Sequence, residues 1–368
     1  MRILIIALLL LKANIGFAHL EQLFFLRGTL AGREIGMRLQ REDDFWHGEY
    51  FFLDEKKNIL LKGGCSTNNG CQLSAYKLNQ QTNKEEITEA FRITEDREHA
   101  WNGTWVSGNK TLTVSLKPID IKKINHRFKG NPFLDKLDPY SYLRTADMQF
   151  SSIKKEKVNG ITIEWLKEKA SGVQFLRIKK GLPNDAIEKA NEILAGIHLS
   201  KVESYFWCGS LLFKGAYKLK TDIKFLSKNI LSLNTNTNSN CQGTGNEVQK
   251  ENITIGIAQG NPLSLEDIFY AGKGTIPTVN SGEWFDYRYT TFGALMLKTL
   301  RGLYPQKFNA SSGKCDFNKA EAWQFPEWHL EDDGLHLRPY FPDYLKCEHR
   351  EELVIPFSEL EPYRKTPI

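Results

Sequence analysis

Past its first eighteen residues the chain has no apolar run approaching the roughly 20 residues that cross a bilayer. Neither sign of charge dominates either, with 49 Lys and Arg against 44 Asp and Glu in 368 residues. The first absence argues against a helical membrane span, and the second against a nucleic-acid binder. Phosphate motifs are missing too. A dinucleotide fingerprint needs three spaced glycines between a strand and a helix, whereas CQGTGN at 241–246 offers two and runs into the strand-like EVQKENITIGIAQ. There is no P-loop Gly-Lys-Ser/Thr, no nucleophile elbow and no zinc-type spacing of Cys and His. No credible active site is therefore expected, and the chain reads as not an enzyme, with no cofactor and no metal.

Cysteine is scarce, but its count is even. Cys65, Cys71, Cys208, Cys241, Cys315 and Cys347 read as three disulfides in an oxidising compartment. Six cysteines allow 15 pairings; chain order suggests Cys65 with Cys71, Cys208 with Cys241, and Cys315 with Cys347, because each pair brackets one local unit. Residues 1–18, MRILIIALLLLKANIGFA, carry Arg2, an apolar run and a small-x-small ending at Gly16 and Ala18, the pattern of a cleaved secretory signal. Arg2 and Lys12 would leave with it, so 47 basic residues face 44 acidic ones, a net +3. The expected location is periplasmic or secreted.

From 19 to 118 the chain alternates in short runs broken by glycine. Ile35, Met37 and Leu39 share one face, as do Leu112, Val114 and Leu116, the period of half-buried strands. This reads as a small antiparallel β domain. Residues 119–147 are basic and punctuated by proline, a linker or lead-in segment. Over 148–368 strands predominate around two helices, LPNDAIEKANEILAGIHL at 182–199 and YTTFGALMLKTLRGLY at 289–304. An α+β fold is expected, with an antiparallel sheet and two helices in this second domain. SKVESYFWCG, after the first helix, reads as strand, and Asp332 to Gly334 as a hairpin turn.

Candidates for chemistry are few. His329, His336 and His349 cluster near Cys347, and the hairpin puts the first two on opposite arms, yet their spacing is that of surface imidazoles. A convergence of these histidines with a carboxylate would reopen the enzymatic reading. Glu266 and Asp267 follow Ser264 in a capped helical start, and Asp332 and Asp333 form a turn, so neither pair shares a substrate. Aromatic density favours recognition, with Trp284 and Tyr287 in NSGEWFDYRY as the surface candidates.

The order NILSLN, CQGTGN, GNPLSLEDIF, FGALMLKTL, GLHLRPYFPDY and VIPFSEL resembles the extracytoplasmic DUF3298 family over 148–363. That family is similar to the sensor part of a lysozyme-receptor anti-sigma factor and to a module of a peptidoglycan deacetylase. The family's Gly-Gly-Ala-His-Pro turn is not kept here, since Gly243 and Gly245 are separated and the Ala-His-Pro part is missing. The resemblance implies an exported bacterial binding protein, and for one branch a lysozyme-like hydrolase as partner. The expected contact is a polar loop of Asn234, Asn236, Asn238, Asn240, Gln242, Gly243, Thr244, Gly245 and Asn246 that enters the hydrolase cleft. The other expectation is a peptidoglycan or envelope-glycan module that uses Trp284 and Tyr287 as exposed platforms.

Overall fold

The computed structural model describes residues 22–42, 45–66, 70–79, 84–209, 216–241, 245–310, 315–342, 347 and 351–368; the leader expected over 1–18 lies outside them. The chain divides into two compact units, Met1–Asp54 with Ile59–Ile119, and Glu55–Asn58 with Asp120–Ile368.

The first unit is a closed antiparallel barrel. Its strands are β1 (Gln22–Leu30), β2 (Arg33–Glu42), β3 (Phe45–Phe52), β4 (Ile59–Ser66), β5 (Gly70–Asn79), β6 (Lys84–Glu95), β7 (Trp101–Ser107) and β8 (Lys110–Pro118), joined in sequence order. The period of two sends alternate side chains inward, and Ile35, Met37, Leu39, Val114 and Leu116 meet Tyr50, Phe91 and Trp101 in one apolar interior. Eight strands enclose just enough room for side chains to fill. Closure falls on β1 against β8, with Gly28 opposite Leu116. A Cβ on Gly28 would lie 2.0 Å from Ser115 O, so the seam closes only over a glycine.

The second unit follows through α1 (Pro139–Thr145), within the stretch expected as a linker. Asp138 caps this helix by accepting from Ser141 N at 2.7 Å. Next come β9 (Phe150–Val158), β10 (Ile161–Glu168) and β11 (Gln174–Lys180), a three-stranded sheet. The helix α2 (Asn184–Cys208) packs Ala186, Ala190 and Leu194 on Ile163, Phe175 and Ile178 of that sheet. It runs on through the segment expected as strand, because Leu199, Val202 and Phe206 continue its buried stripe; β-branched and aromatic residues made that stretch look extended.

A four-stranded sheet comprises β12 (Ala216–Leu226), β13 (Ile230–Asn240), β14 (Glu247–Gly256) and β15 (Asn261–Pro262). Then come α3 (Leu265–Ile268), α4 (Gly282–Tyr287), α5 (Gly293–Leu303) and α6 (Pro305–Ala310). The last sheet is β16 (Glu327–Glu331), β17 (Gly334–Arg338) and β18 (Leu353–Ile355), followed by α7 (Phe357–Leu360). The turn between β16 and β17 falls where the sequence places it.

The α+β expectation is corrected by this architecture. The described chain is predominantly β, a closed barrel plus sheets of three, four and three strands. Alternation identifies a strand locally, but sheet membership is fixed by pairing between distant segments, so one sheet with helices could not be told from three small ones. The three disulfides join Cys65 to Cys71, Cys208 to Cys241 and Cys315 to Cys347, the pairing that chain order suggests. No helix among the described residues is long and apolar enough to cross a membrane.

Two outcomes test this packing. Gly28→Ala should cost about 2–4 kcal/mol in urea unfolding through the seam clash, whereas Gly302→Ala in α5, where nothing lies within 4 Å of the added Cβ, should stabilise by about 0.5–1 kcal/mol. The second concerns His198, whose pKa burial pushes down to about 4. Its unfolded value is about 6.5, so below that pH the unfolded chain takes up a proton the folded chain refuses, and stability falls as pH drops toward 4. Comparing the protein with His198→Gln, the stability difference should shift by roughly 2 kcal/mol between pH 7 and pH 5 in denaturant titrations.

Candidate functional site

The second unit carries a groove of about 690 Å³ whose lining is mostly polar. Its floor comes from the period of two in β13. Leu231 and Leu233 face the core beneath α2, so Ser232, Asn234 and Asn236 face the other way. Asn234 Nδ2 donates to Asn252 Oδ1 of β14 at 2.8 Å, and Lys250 and Thr254 extend the same surface. One wall is the polar face of the last sheet. Leu330, Leu335 and Leu337 point into the apolar core of this unit, which leaves Glu327, His329 and Arg338 on the opposite face, in the groove with Glu352. Ser232 Oγ accepts from Leu330 N at 3.3 Å and joins floor to wall.

The other wall is helical. Ser264 and Asp267 form a reciprocal capping box at the start of α3, as the sequence indicates, and this turns Glu266 into the groove. Arg288 Nε lies 2.6 Å from Glu266 Oε1, and both side chains are buried, at 5% and 0% exposure. The contact is at ion-pair distance but off the N–H axis, and neither carboxylate oxygen of Glu266 accepts a hydrogen bond from the described residues. Arg288 Nη1 donates to Gln324 O at 3.0 Å, and its guanidinium lies over the rings of Trp284 and Phe292, 5.0 and 4.2 Å from their centroids. Trp284 Nε1 is likewise buried with no hydrogen-bond acceptor among the described residues. Arg288 opens a π-helical turn, Arg288–Phe292, between α4 and α5, a distortion that recurs at functional sites.

Beside the groove the hairpin stacks His329 on His336, ring centroids 4.9 Å apart. His336 Nδ1 lies 2.9 Å from Glu352 Oε1 and Nε2 lies 2.7 Å from Asp333 Oδ1. Burial opposes the charge on His336, but these carboxylates outweigh it and its pKa is raised. Burial prevails at His329 and lowers its pKa, although Glu331 Oε1 stands 3.0 Å from Nε2. Burial works to raise Glu331, yet bonds from Lys224 and His329 bring its pKa below the usual carboxylate range.

The expected site residues separate into groups. Asn234, Asn236 and Trp284 line the groove. Asn238 and Asn240 continue β13 beyond it, so 234–240 is a central sheet strand and not a loop. Gly245 and Asn246 precede β14, and Gln242, Gly243, Thr244 and His349 lie outside the described residues. Tyr287 is buried, its hydroxyl oxygen accepting from Ala271 N at 3.2 Å. Sequence reasoning set Glu266 aside as part of a capped helical start and missed Arg288, Asn252, Trp328 and Glu352. The capping pattern was the only local signal, and it pointed to Asp267.

No protein-family model and no curated protein matches the chain. Among solved structures it is similar to a crystal structure of a DUF3298 family member from Bacteroides fragilis, at 14% identity and a TM-score of 0.34, over 59% of this chain and 94% of that one.

Removing one partner of a buried ion pair leaves an uncompensated charge and typically costs about 3–5 kcal/mol. Glu266→Leu and Arg288→Met should each destabilise by that order, while the double variant should lose less than either. Chemical denaturation of the four proteins measures this cycle.

Proposed function

We propose that this chain is an exported, disulfide-stapled binding protein of the cell envelope, and that the groove of its second unit takes a glycan. The carrying observation is the pair of unmet groups in the groove wall. The Glu266 carboxylate, paired in charge with Arg288, accepts no hydrogen bond from the described residues and the Trp284 N–H has no acceptor among them, and a buried polar group without its hydrogen bond costs roughly 1–3 kcal/mol. A sugar hydroxyl donates and accepts at once, as do the Asn234, Asn236 and Asn252 amides on the floor.

The size of the groove supports the same reading. Sites for small ligands usually measure about 300–1,000 Å³, whereas a protein partner is met over about 800 Å² of each surface. Trp328, half-buried at the rim, adds apolar area for a sugar face to pack on. Recognition of a lysozyme-like hydrolase required residues 234–246 to project into a cleft, and their first seven residues instead belong to a strand that floors a concave surface. The three disulfides suit an oxidising, extracytoplasmic setting. Binding is the proposed role, with no catalytic step.

The test is co-sedimentation of the full, oxidised chain with insoluble peptidoglycan, followed by titration with soluble wall fragments. Retention is expected, and Trp284→Phe, which removes the N–H together with one ring of the indole, should weaken binding by at least about 5- to 30-fold, the equivalent of one lost hydrogen bond. Asn252→Ala should weaken it by a similar factor. No retention, together with inhibition of a muramidase by the same preparation, would overturn the glycan reading in favour of a protein partner.

A further inference from the structure

We infer that His329, His336 and Glu352 form a binding site for a divalent transition metal, Zn²⁺ by its donor set, at the edge of the groove. The candidate ligand atoms of these three residues all lie within 4.8 Å of one another. Glu352 Oε1 stands 2.9 Å from His336 Nδ1 and 3.9 Å from His329 Nε2. A tetrahedral ion with bonds of about 2.0–2.1 Å separates its ligands by about 3.3 Å, so the two distances bracket the required edge. The third edge, between the two imidazole nitrogens, is no longer than 4.8 Å. The two imidazoles are held on neighbouring strands at one register position, His329 opposite His336, so the spacing is built by the sheet rather than by a flexible loop.

The surroundings match what metal-binding histidines require. A ligating imidazole is normally oriented by a carboxylate on its other nitrogen, and His336 Nε2 has Asp333 Oδ1 at 2.7 Å. Glu352 is fixed through its second oxygen, which accepts from Arg338 Nη2 at 3.2 Å. Both imidazoles are buried, at 6% and 8% exposure. Three carboxylates contact them, Glu331, Asp333 and Glu352, against the cations Lys224 and Arg338, so the local field favours a cation. A second grouping, Glu331 and Asp333 with His336, is also close enough to chelate, but it offers one nitrogen, and Asp333 is 66% exposed. Two nitrogens and one oxygen suit zinc better.

Three protein ligands leave a fourth position. Glu331 is engaged by Lys224 Nζ at 2.8 Å, and His329 and Glu352 both line the groove, so that position faces a water or a ligand oxygen. This inference does not rest on the glycan reading, and wall binding can fail without touching it.

Calorimetric titration of the full, oxidised chain with ZnCl₂ after chelator treatment should show one ion bound per chain, with Co²⁺ giving the visible absorption of a four-coordinate site. His336→Ala and Glu352→Ala should each weaken Zn²⁺ binding at least about 100-fold, and Asp333→Asn, which keeps every ligand, about 10- to 100-fold. Thermal unfolding without metal checks that each variant folds. The assignment is overturned if the unaltered chain takes up no stoichiometric Zn²⁺, or if a folded His336→Ala variant binds it unchanged.

Discussion

Everything in the second unit depends on a single strand serving two faces. A β-strand presents successive side chains to opposite sides, and β13 uses this fully. Leu231 and Leu233 lie at 0% exposure in the core under α2, and the intervening Ser232, Asn234 and Asn236 are thereby committed to the opposite side. Ser232 meets the backbone of β16 through its hydroxyl, also contacted by Thr254 Oγ1 at 3.3 Å. Past that junction Asn234 and Asn236 face the groove. A one-residue slip of β13 would exchange the leucines for the asparagines, which ties the core and the groove to the same register.

The helical wall shows where stability has been given up. Charges and N–H groups taken out of water need partners, and Arg288 meets part of that need with Gln324 O and two aromatic faces. Among the described residues Glu266 has only the off-axis guanidinium, and Trp284 Nε1 has no acceptor. A wall built for stability alone would place apolar side chains here. The π turn at Arg288–Phe292 directs the arginine toward α3, so a backbone irregularity and an unsatisfied carboxylate coincide. Two departures from ideal structure at one place are better explained by a ligand than by two separate defects.

What could be read in the sequence follows from what is local. The inward residues of β2 and β8, the turn between β16 and β17, the capping box at Ser264 and the three disulfides are each fixed within a few residues or by chain order. What could not be read is set over longer distances. Glu266 and Arg288 are 22 positions apart with no shared periodicity, and Glu352 reaches His336 only because β18 pairs with β17. The polar run at 234–240 resembled a loop because asparagine is common in turns. Its Thr235, Thr237 and Ser239 are buried, however, and that alternation with outward asparagines was a strand signal carried by polar residues in place of apolar ones. The stretch at 200–208 misled in the reverse sense, its aromatic content outweighing a helical stripe begun at Ala186.

The two units differ in how they close, and this accounts for where the site lies. In the barrel every strand has two neighbours and the interior is filled by side chains from all eight, so closure consumes both the edges and the space. The second unit has three small sheets, and each has edges that something must satisfy. Asn191 of α2 serves this purpose for β11, donating to Ile178 O and accepting from Ile178 N, each at 2.8 Å. Where β16 approaches β13, two polar faces confront each other and apolar packing cannot fill the gap. Sheets too small to close on themselves therefore leave a polar hollow at their junction, and that hollow holds the buried Glu266–Arg288 pair, the Trp284 N–H and His329, one of the two stacked histidines.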